Sequence, residues 1–302
     1  MSRTVYLGTS EFAAAVLRRL ADSSHHPLLV VTPPDRPKGR GRRTQSPPAA
    51  ETARELGIEL LQAESVNDDG ALECIRAVAP EVVAVCAFGQ LIREPLLSEG
   101  PMLNVHPSLL PRWRGAAPIE RAIMAGDERT GVCIMRVTEG LDSGPVALRE
   151  EVAIGSEEDF EALSARLAAI GGELLVGALD LQAEGRLEFE DQDDDAATYA
   201  EKVDSAERRL DPGRPAAELA RVVRALTPHV GAYLETDGDG RLGVRRARDV
   251  DVSLKAGEVR AEWGALLLGC GQGALRLEVV QPQGGKPMPA DAYLRGHPLP
   301  KL

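Results

Sequence analysis

The first half of the chain alternates short apolar or β-branched runs with longer stretches in which apolar residues recur every three or four positions. TVYLGT (4–9), PLLVVT (27–32), EVVAVCAF (81–88) and MLNV (102–105) predict strands. FAAAVLRRLADS (12–23), PAAETAREL (48–56) and GALECIRAVA (70–79) predict the helices between them. Strands alternating with helices imply a parallel sheet covered on both faces, because right-handed crossovers return each helix to the sheet. Two further strand candidates, GVCIMRV (131–137) and PVALREEVAI (145–154), flank EGLDSG, and a long helix over EDFEALSARLAAIGGELLVGALDLQAEG follows. The expected fold is α/β, a Rossmann-like open, mostly parallel sheet.

The pattern then changes. EFEDQDDDAATYAEK (188–202) is acidic and polar, as a linker would be. Beyond it, after one helix at 214–226, the short strands GAYLET, RLGVRRARDV, GALLLGC and ALRLEVVQP alternate with turns such as DGDG and GCGQG, the pattern of a small OB-like β-barrel. The expected division is an α/β domain at 1–189, an acidic linker at 190–207 and a β-barrel domain at 208–302.

Composition adds compartment and partner. The 302 residues are 43% hydrophobic and 27% charged, a globular profile. Cys74, Cys86, Cys133 and Cys270 lie far apart with no metal-type spacing and are expected to be buried thiols of a reducing compartment. The chain enters its first strand directly and shows no run of the ~20 apolar residues that span a bilayer, so a cytoplasmic protein away from membranes is expected. His25, His26, His229 and His297 are expected at the surface. A net charge of −12 argues against a polyanionic partner, but its distribution reverses that. Residues 208–302 carry 15 Lys plus Arg against 11 Asp plus Glu, and RPKGRGRR (36–43) holds five basic residues and no acidic one. Such a run is either a solvated loop or a phosphate contact.

The turn after the first strand, GTSEF (8–12), lacks the glycine spacing that lets a pyrophosphate approach the backbone, which disfavours a dinucleotide. Open α/β sheets still hold their sites at the carboxyl ends of the strands, where NVHPSLLPR (104–112) lies. Alternation puts Asn104 and His106 on one face of a strand and Leu103 and Val105 on the other. A carboxamide and an imidazole side by side can donate to one developing oxyanion, or can satisfy backbone groups where a sheet ends. Asp142 in the EGLDSG turn adds a proton acceptor, and Asn, His and Asp together form an acyl-transfer set that needs no protein nucleophile.

The run NVHPSLLPRWRGAAPIERAIMAGDERTGVCIMRVTEGLDSGP (104–145), with GTSEFA (8–13), PPDRPKGRGRR (33–43) and TYAEK (198–202), resembles the methionyl-tRNA formyltransferase family, in the family's order. The second half resembles it through LDP and LTPHVGAYLE. The resemblance implies a folate formyltransferase fold and transfer of formyl from 10-formyltetrahydrofolate to methionine on initiator tRNA, for translation initiation. It implies catalysis by Asn104, His106 and Asp142 without a metal. Folate contacts fall on Ser108, Leu109, Leu110 and Pro111, and on Phe88, Gly89, Gln90, Leu91 and Ile92 with the 139–143 turn. Initiator tRNA contacts fall on Arg36, Lys38, Arg40, Arg42 and Arg43, Arg40 foremost. A monomer is expected. A sugar-nucleotide formyltransferase or a formyltetrahydrofolate hydrolase would use the same trio without needing GRGRR. A folate- or RNA-binding protein without catalysis is the remaining alternative, against which the retention of all three polar residues counts.

Overall fold

The computed structural model describes residues 2–38, 43–237, 240–262 and 264–302, with the backbone alone at Lys38 and Arg43. The chain forms two compact units. One comprises Met1–Pro118, Arg129–Val152 and Ser164–Ala200, the other Ile119–Glu128, Ala153–Leu163 and Glu201–Leu302.

The first unit contains, in order, β1 (Thr4–Gly8), β2 (Pro27–Thr32), β3 (Arg36–Lys38), β4 (Arg43–Gln45), β5 (Glu59–Gln62), β6 (Val82–Cys86), β7 (Met102–His106), β8 (Arg114–Gly115), β9 (Arg129–Arg136), β10 (Val146–Ala153) and β11 (Tyr199–Ala200). Its helices are α1 (Glu11–Ala21), α2 (Pro48–Glu55), α3 (Asp69–Ala77) and most of α5 (Phe160–Ala183). Seven strands make one sheet in the order β10-β9-β7-β6-β1-β2-β5. β5, β2, β1, β6 and β7 run parallel, and β9 is antiparallel to β7. The expected mostly parallel sheet is present. β5 and the antiparallel pair β3–β4 were not expected from the pattern. β5 sits at the sheet edge with Glu59 exposed and the other side chains half-buried, so it lacks the apolar run that marks an interior strand.

Local sequence explains the helices that set the site. In α1 the Ser10 side chain caps the helix by accepting from the Ala13 amide, Glu11 lies in the first turn, and Arg18 and Arg19 lie in the last. Phe12, Val16, Leu17 and Leu20 form its buried face, and each such side chain stabilises the fold by about 1.5–3 kcal/mol. α5 packs beside α1 and against β7. A Cβ at Gly171 would stand 2.7 Å from Val105 Cγ1, so only glycine lets the helix approach the strand this closely.

By length and composition α5 could cross a membrane, which corrects the expectation that no run is long enough. Leu167, Leu175 and Leu179 are buried, and Glu173 and Asp180 are engaged by Arg19 and His25. His25 is fully buried, not at the surface: its Nδ1 accepts from the Ser2 amide and its Nε2 meets Asp180 at 2.9 Å. Cys74 is exposed, while Cys86, Cys133 and Cys270 are buried as expected.

Residues 190–200, the first part of the expected linker, are bonded into the first unit. Glu190 and Val146 exchange backbone hydrogen bonds of 2.8 and 2.9 Å, and β11 pairs in parallel with β8. Backbone pairing holds this segment despite its acidity, and composition registers only side chains.

The second unit contains α4 (Pro118–Ala125), α6 (Ala216–Leu226), α7 (Ala290–Gly296), and the strands β12 (Ala232–Thr236), β13 (Gly240–Val250), β14 (Val259–Glu262), β15 (Ala265–Gly269), β16 (Ala274–Pro282) and β17 (Met288–Pro289). The sheet is antiparallel in the order β12-β13-β16-β15-β14, with β17 beside β16. Leu219, Val223 and Leu226 of α6 join Leu234, Val244 and Leu268 in its core. Residues 119–128 and 153–163, upstream of the rest of the unit in the sequence, are integral to it. Arg121 pairs with Glu207, His229 bonds Glu120 at 3.0 Å and stacks on Phe160, and Arg224 donates to the Glu158 carbonyl at 2.7 Å.

Candidate active site

β6 and β7 are neighbouring parallel strands, with Cys86 opposite Val105, so the segments leaving their carboxyl ends start side by side. On β7, Val105 faces α5, and the alternation of a strand turns Asn104 and His106 to the opposite face. The Asn104 carboxamide is half-buried and has no hydrogen-bond partner among the described residues.

His106 is 4% exposed, and its Nε2 lies 2.9 Å from the Trp113 carbonyl. A carbonyl only accepts, so Nε2 carries a proton and donates, which leaves Nδ1 as the reactive nitrogen. Nδ1 stands 3.7 Å from Asp142 Oδ2. That oxygen accepts from the Gly115 amide at 2.9 Å. Trp113 at φ 64° and Asp142 at φ 45° both adopt the left-handed region uncommon for side-chain-bearing residues, and both supply groups to this point. His106 and Asp142 therefore approach one another, and Asn104 shares the strand face of His106.

The neighbouring thiols are not competing nucleophiles. Burial pushes Cys86 up to about 12, against the lowering effect of a hydrogen bond with Tyr6, and pushes Cys133, opposite His106 on β9, up to about 11. Both stay protonated near neutrality.

The SLLP segment divides. Ser108 is fully buried; its hydroxyl donates to the Arg112 carbonyl at 2.6 Å and its amide to the His106 carbonyl at 2.9 Å. Leu110 lies in an apolar cluster with Cys133, Met135 and Val146. These two side chains shape the turn, and Leu109 and Pro111 are half-buried. The 88–92 segment divides likewise. Phe88 and Ile92 enter the core beside Val85. The Gln90 side chain accepts from the Val66 amide and donates to the Ala63 carbonyl. Gly89, at φ 77°, and Leu91 are exposed. Leu91 is 62% and Leu141 63% exposed, two large apolar side chains on segments expected to hold the pterin.

Of the basic run, Arg36 is exposed on β3 and pairs with Glu64 at 3.1 Å. Lys38 and Arg43 are opposite one another across the β3–β4 pair. Arg40 and Arg42 lie outside the described residues.

Sequence reasoning missed Gln192, Thr198 and the interior role of Arg114. Arg114 is 3% exposed; its Nε donates to Gln192 Oε1 at 3.0 Å and its Nη2 to Asp194 at 2.7 Å. Gln192 Nε2 donates to the carbonyls of Asp142 and Gly144 at 2.9 and 2.7 Å. Thr198 Oγ1 accepts from the Trp113 amide at 2.9 Å. One amide among acids carries no compositional signal. Among the described residues no cluster of His, Cys, Asp and Glu could hold a metal.

Residues 2–179 match the formyl transferase family model, and residues 202–298 match the formyl transferase C-terminal domain. The chain is similar to a methionyl-tRNA formyltransferase of Methylobacillus flagellatus, 41% identical over 98% of this chain and 97% of that one. It is also similar to one of Ruegeria pomeroyi, 42% identical over 99% and 98%. Among solved structures, an N-formyltransferase from Helicobacter canadensis in complex with folinic acid and dTDP-3-aminofucose shares the fold, with a TM-score of 0.67 at 12% identity, over 92% of this chain and 99% of that one.

Proposed function

We propose a mechanism from one premise: the chain belongs to the methionyl-tRNA formyltransferase family. It transfers the formyl group of 10-formyltetrahydrofolate to the α-amino group of methionine on initiator tRNA, for translation initiation.

The residue roles rest on one observation, the uncommitted Asn104 carboxamide on the strand face that carries His106, whose free Nδ1 faces Asp142 at 3.7 Å. The neutral amine attacks the formyl carbon, forming a C–N bond and leaving an oxyanion and an ammonium. Asn104 Nδ2–H and the Nδ1–H of protonated His106 donate to the oxyanion. Asp142 takes the ammonium proton, directly or through one water. As the oxyanion collapses and the bond to the folate N10 breaks, His106 supplies the proton with which tetrahydrofolate leaves as a neutral amine. Asp142 then returns its proton to His106 Nδ1, 3.7 Å away, so both groups are reset and the net proton movement is from the methionine amine to N10.

The exposed Leu91 and Leu141 support a pterin seat along 88–92 and 139–143. Leu109 and Pro111 line it, and Ser108 and Leu110 act by fixing the turn. Arg36, Lys38, Arg40, Arg42 and Arg43 contact the acceptor-stem phosphates. The chain works as a monomer in the cytoplasm, away from membranes; the buried leucines of α5 support that reading.

The test is release of tetrahydrofolate from 10-formyltetrahydrofolate with charged initiator tRNA, charged elongator tRNA or no acceptor. Release should require the charged initiator tRNA. Equal release without acceptor would make the chain a hydrolase.

A further inference from the structure

We infer that Gln192, held by the buried Arg114, is a positioning residue for catalysis: it fixes the turn that carries Asp142 so that the carboxylate faces His106. The inference rests on the proposed role of Asp142.

The hydrogen bonds permit one orientation of the amide. A guanidinium only donates and a carbonyl only accepts, so Oε1 must face Arg114 and Nε2 must face the Asp142 and Gly144 carbonyls. The two contacts reinforce each other. A cation bonded to the amide oxygen polarises the group and strengthens its N–H donors, so the charge of Arg114 is felt at the Asp142 backbone. Two further features locate the effect at the carboxylate. Asp142 sits at φ 45°, a conformation of small intrinsic population that the surroundings must enforce. Gly115, the residue after Arg114, donates its amide to Asp142 Oδ2 at 2.9 Å. Residues 114 and 115 thus grip Asp142 from two sides, the backbone through Gln192 and the side chain directly. Arg114 is placed for this by β8, whose pairing with β11 fixes the strand on which it stands.

Asp142 Oδ2 and His106 Nδ1 are already 3.7 Å apart, beyond hydrogen-bond length. A drift of the turn by one further ångström would separate the proton acceptor from the reacting centre, a misplacement that costs about 100-fold in rate.

The experiment compares Gln192→Ala and Gln192→Glu with wild-type enzyme in the formyl-transfer assay. Glu keeps the acceptor for Arg114 and the side-chain length but cannot donate to the two carbonyls. Both variants should lower kcat by about 10- to 100-fold and shift the pH–rate profile. In an Asp142→Asn background, Gln192→Glu should cause little further loss, because residues acting through one another are non-additive. A purely structural role would lower thermal stability and add fully in that background. Wild-type kcat and pH profile in a folded Gln192→Glu enzyme, or full additivity with Asp142→Asn, would overturn the inference. Wild-type turnover in Asp142→Asn itself would instead overturn the role of Asp142.

Discussion

His106 illustrates how one backbone atom selects a chemistry. By accepting from Nε2, the Trp113 carbonyl settles which nitrogen remains for the substrate, and Trp113 does so from the left-handed region, at φ 64°. Asn104→Ala and His106→Ala should each lower turnover by about 100-fold or more with the fold intact, the cost of losing an oxyanion donor. Circular dichroism and single-turnover kinetics would check this, and wild-type turnover would remove the residue from the mechanism. At this scale the shared face of Asn104 and His106 was legible because alternation along a strand fixes which side chains point together, whereas Asp142, on a turn, was proposed from the Gly-rich EGLDSG segment. Ser108 and Gln192 were not legible in the same way. Their roles are hydrogen bonds to carbonyls, and any polar residue in a turn looks the same from sequence.

Between elements, the approach of α5 to β7 holds Asn104 and His106 in place. Gly171→Ala would gain about 1 kcal/mol of helix propensity, yet the new Cβ would meet Val105 Cγ1 at 2.7 Å. Overpacking of this kind costs about 1–3 kcal/mol. The variant should melt lower than wild type and turn over more slowly. Adding Val105→Ala should recover part of the melting temperature, and a failure to recover would place the strain elsewhere. The basic run invites a second test. Replacing Arg40, Arg42 and Arg43 with Ala should weaken tRNA binding and reduce its salt slope by about one for each of these arginines that neutralises a phosphate, leaving folate binding unchanged. An unaltered slope would make the run ordinary solvated surface. The β3–β4 pair was hidden from the pattern because neither RPK nor RTQ contains apolar alternation, whereas the buried strands β1, β2 and β6 stood out as apolar runs.

At the scale of the whole molecule, the units do not follow one another in sequence. Residues 119–128 and 153–163 fold with the second half, and the segment ending at Ala200 folds with the first. A two-part reading in chain order cannot see this, because hydropathy assigns a residue to a core without saying which core. A fragment ending at 189 lacks Gln192 and Thr198, so it should bind folate more weakly than one ending at Ala200, measured by calorimetry on folded material. Acid sensitivity of the second unit has a named source. The hydrogen-bonded guanidinium of Arg121 holds the Glu207 carboxyl below its ordinary range despite some opposing burial. A depressed folded value contributes stability above the unfolded value of about 4.3 and loses it as pH falls through the folded one. Glu207→Gln should therefore lower the melting temperature at pH 7, and the difference should narrow below about pH 4.

The placement of the four cysteines makes the chain its own reporter. Cys74 on α3 is exposed, while Cys86, Cys133 and Cys270 are buried and their thiols are held un-ionised by burial. A maleimide dye should add once to the native protein, at Cys74, giving a single fluorescent label without mutagenesis. Further alkylation would then clock opening, with Cys86 and Cys133 timing the first unit and Cys270 the second. Two separate rates in mass-spectrometric pulse labelling would mean that the two cores open independently, and a common rate that they come apart together.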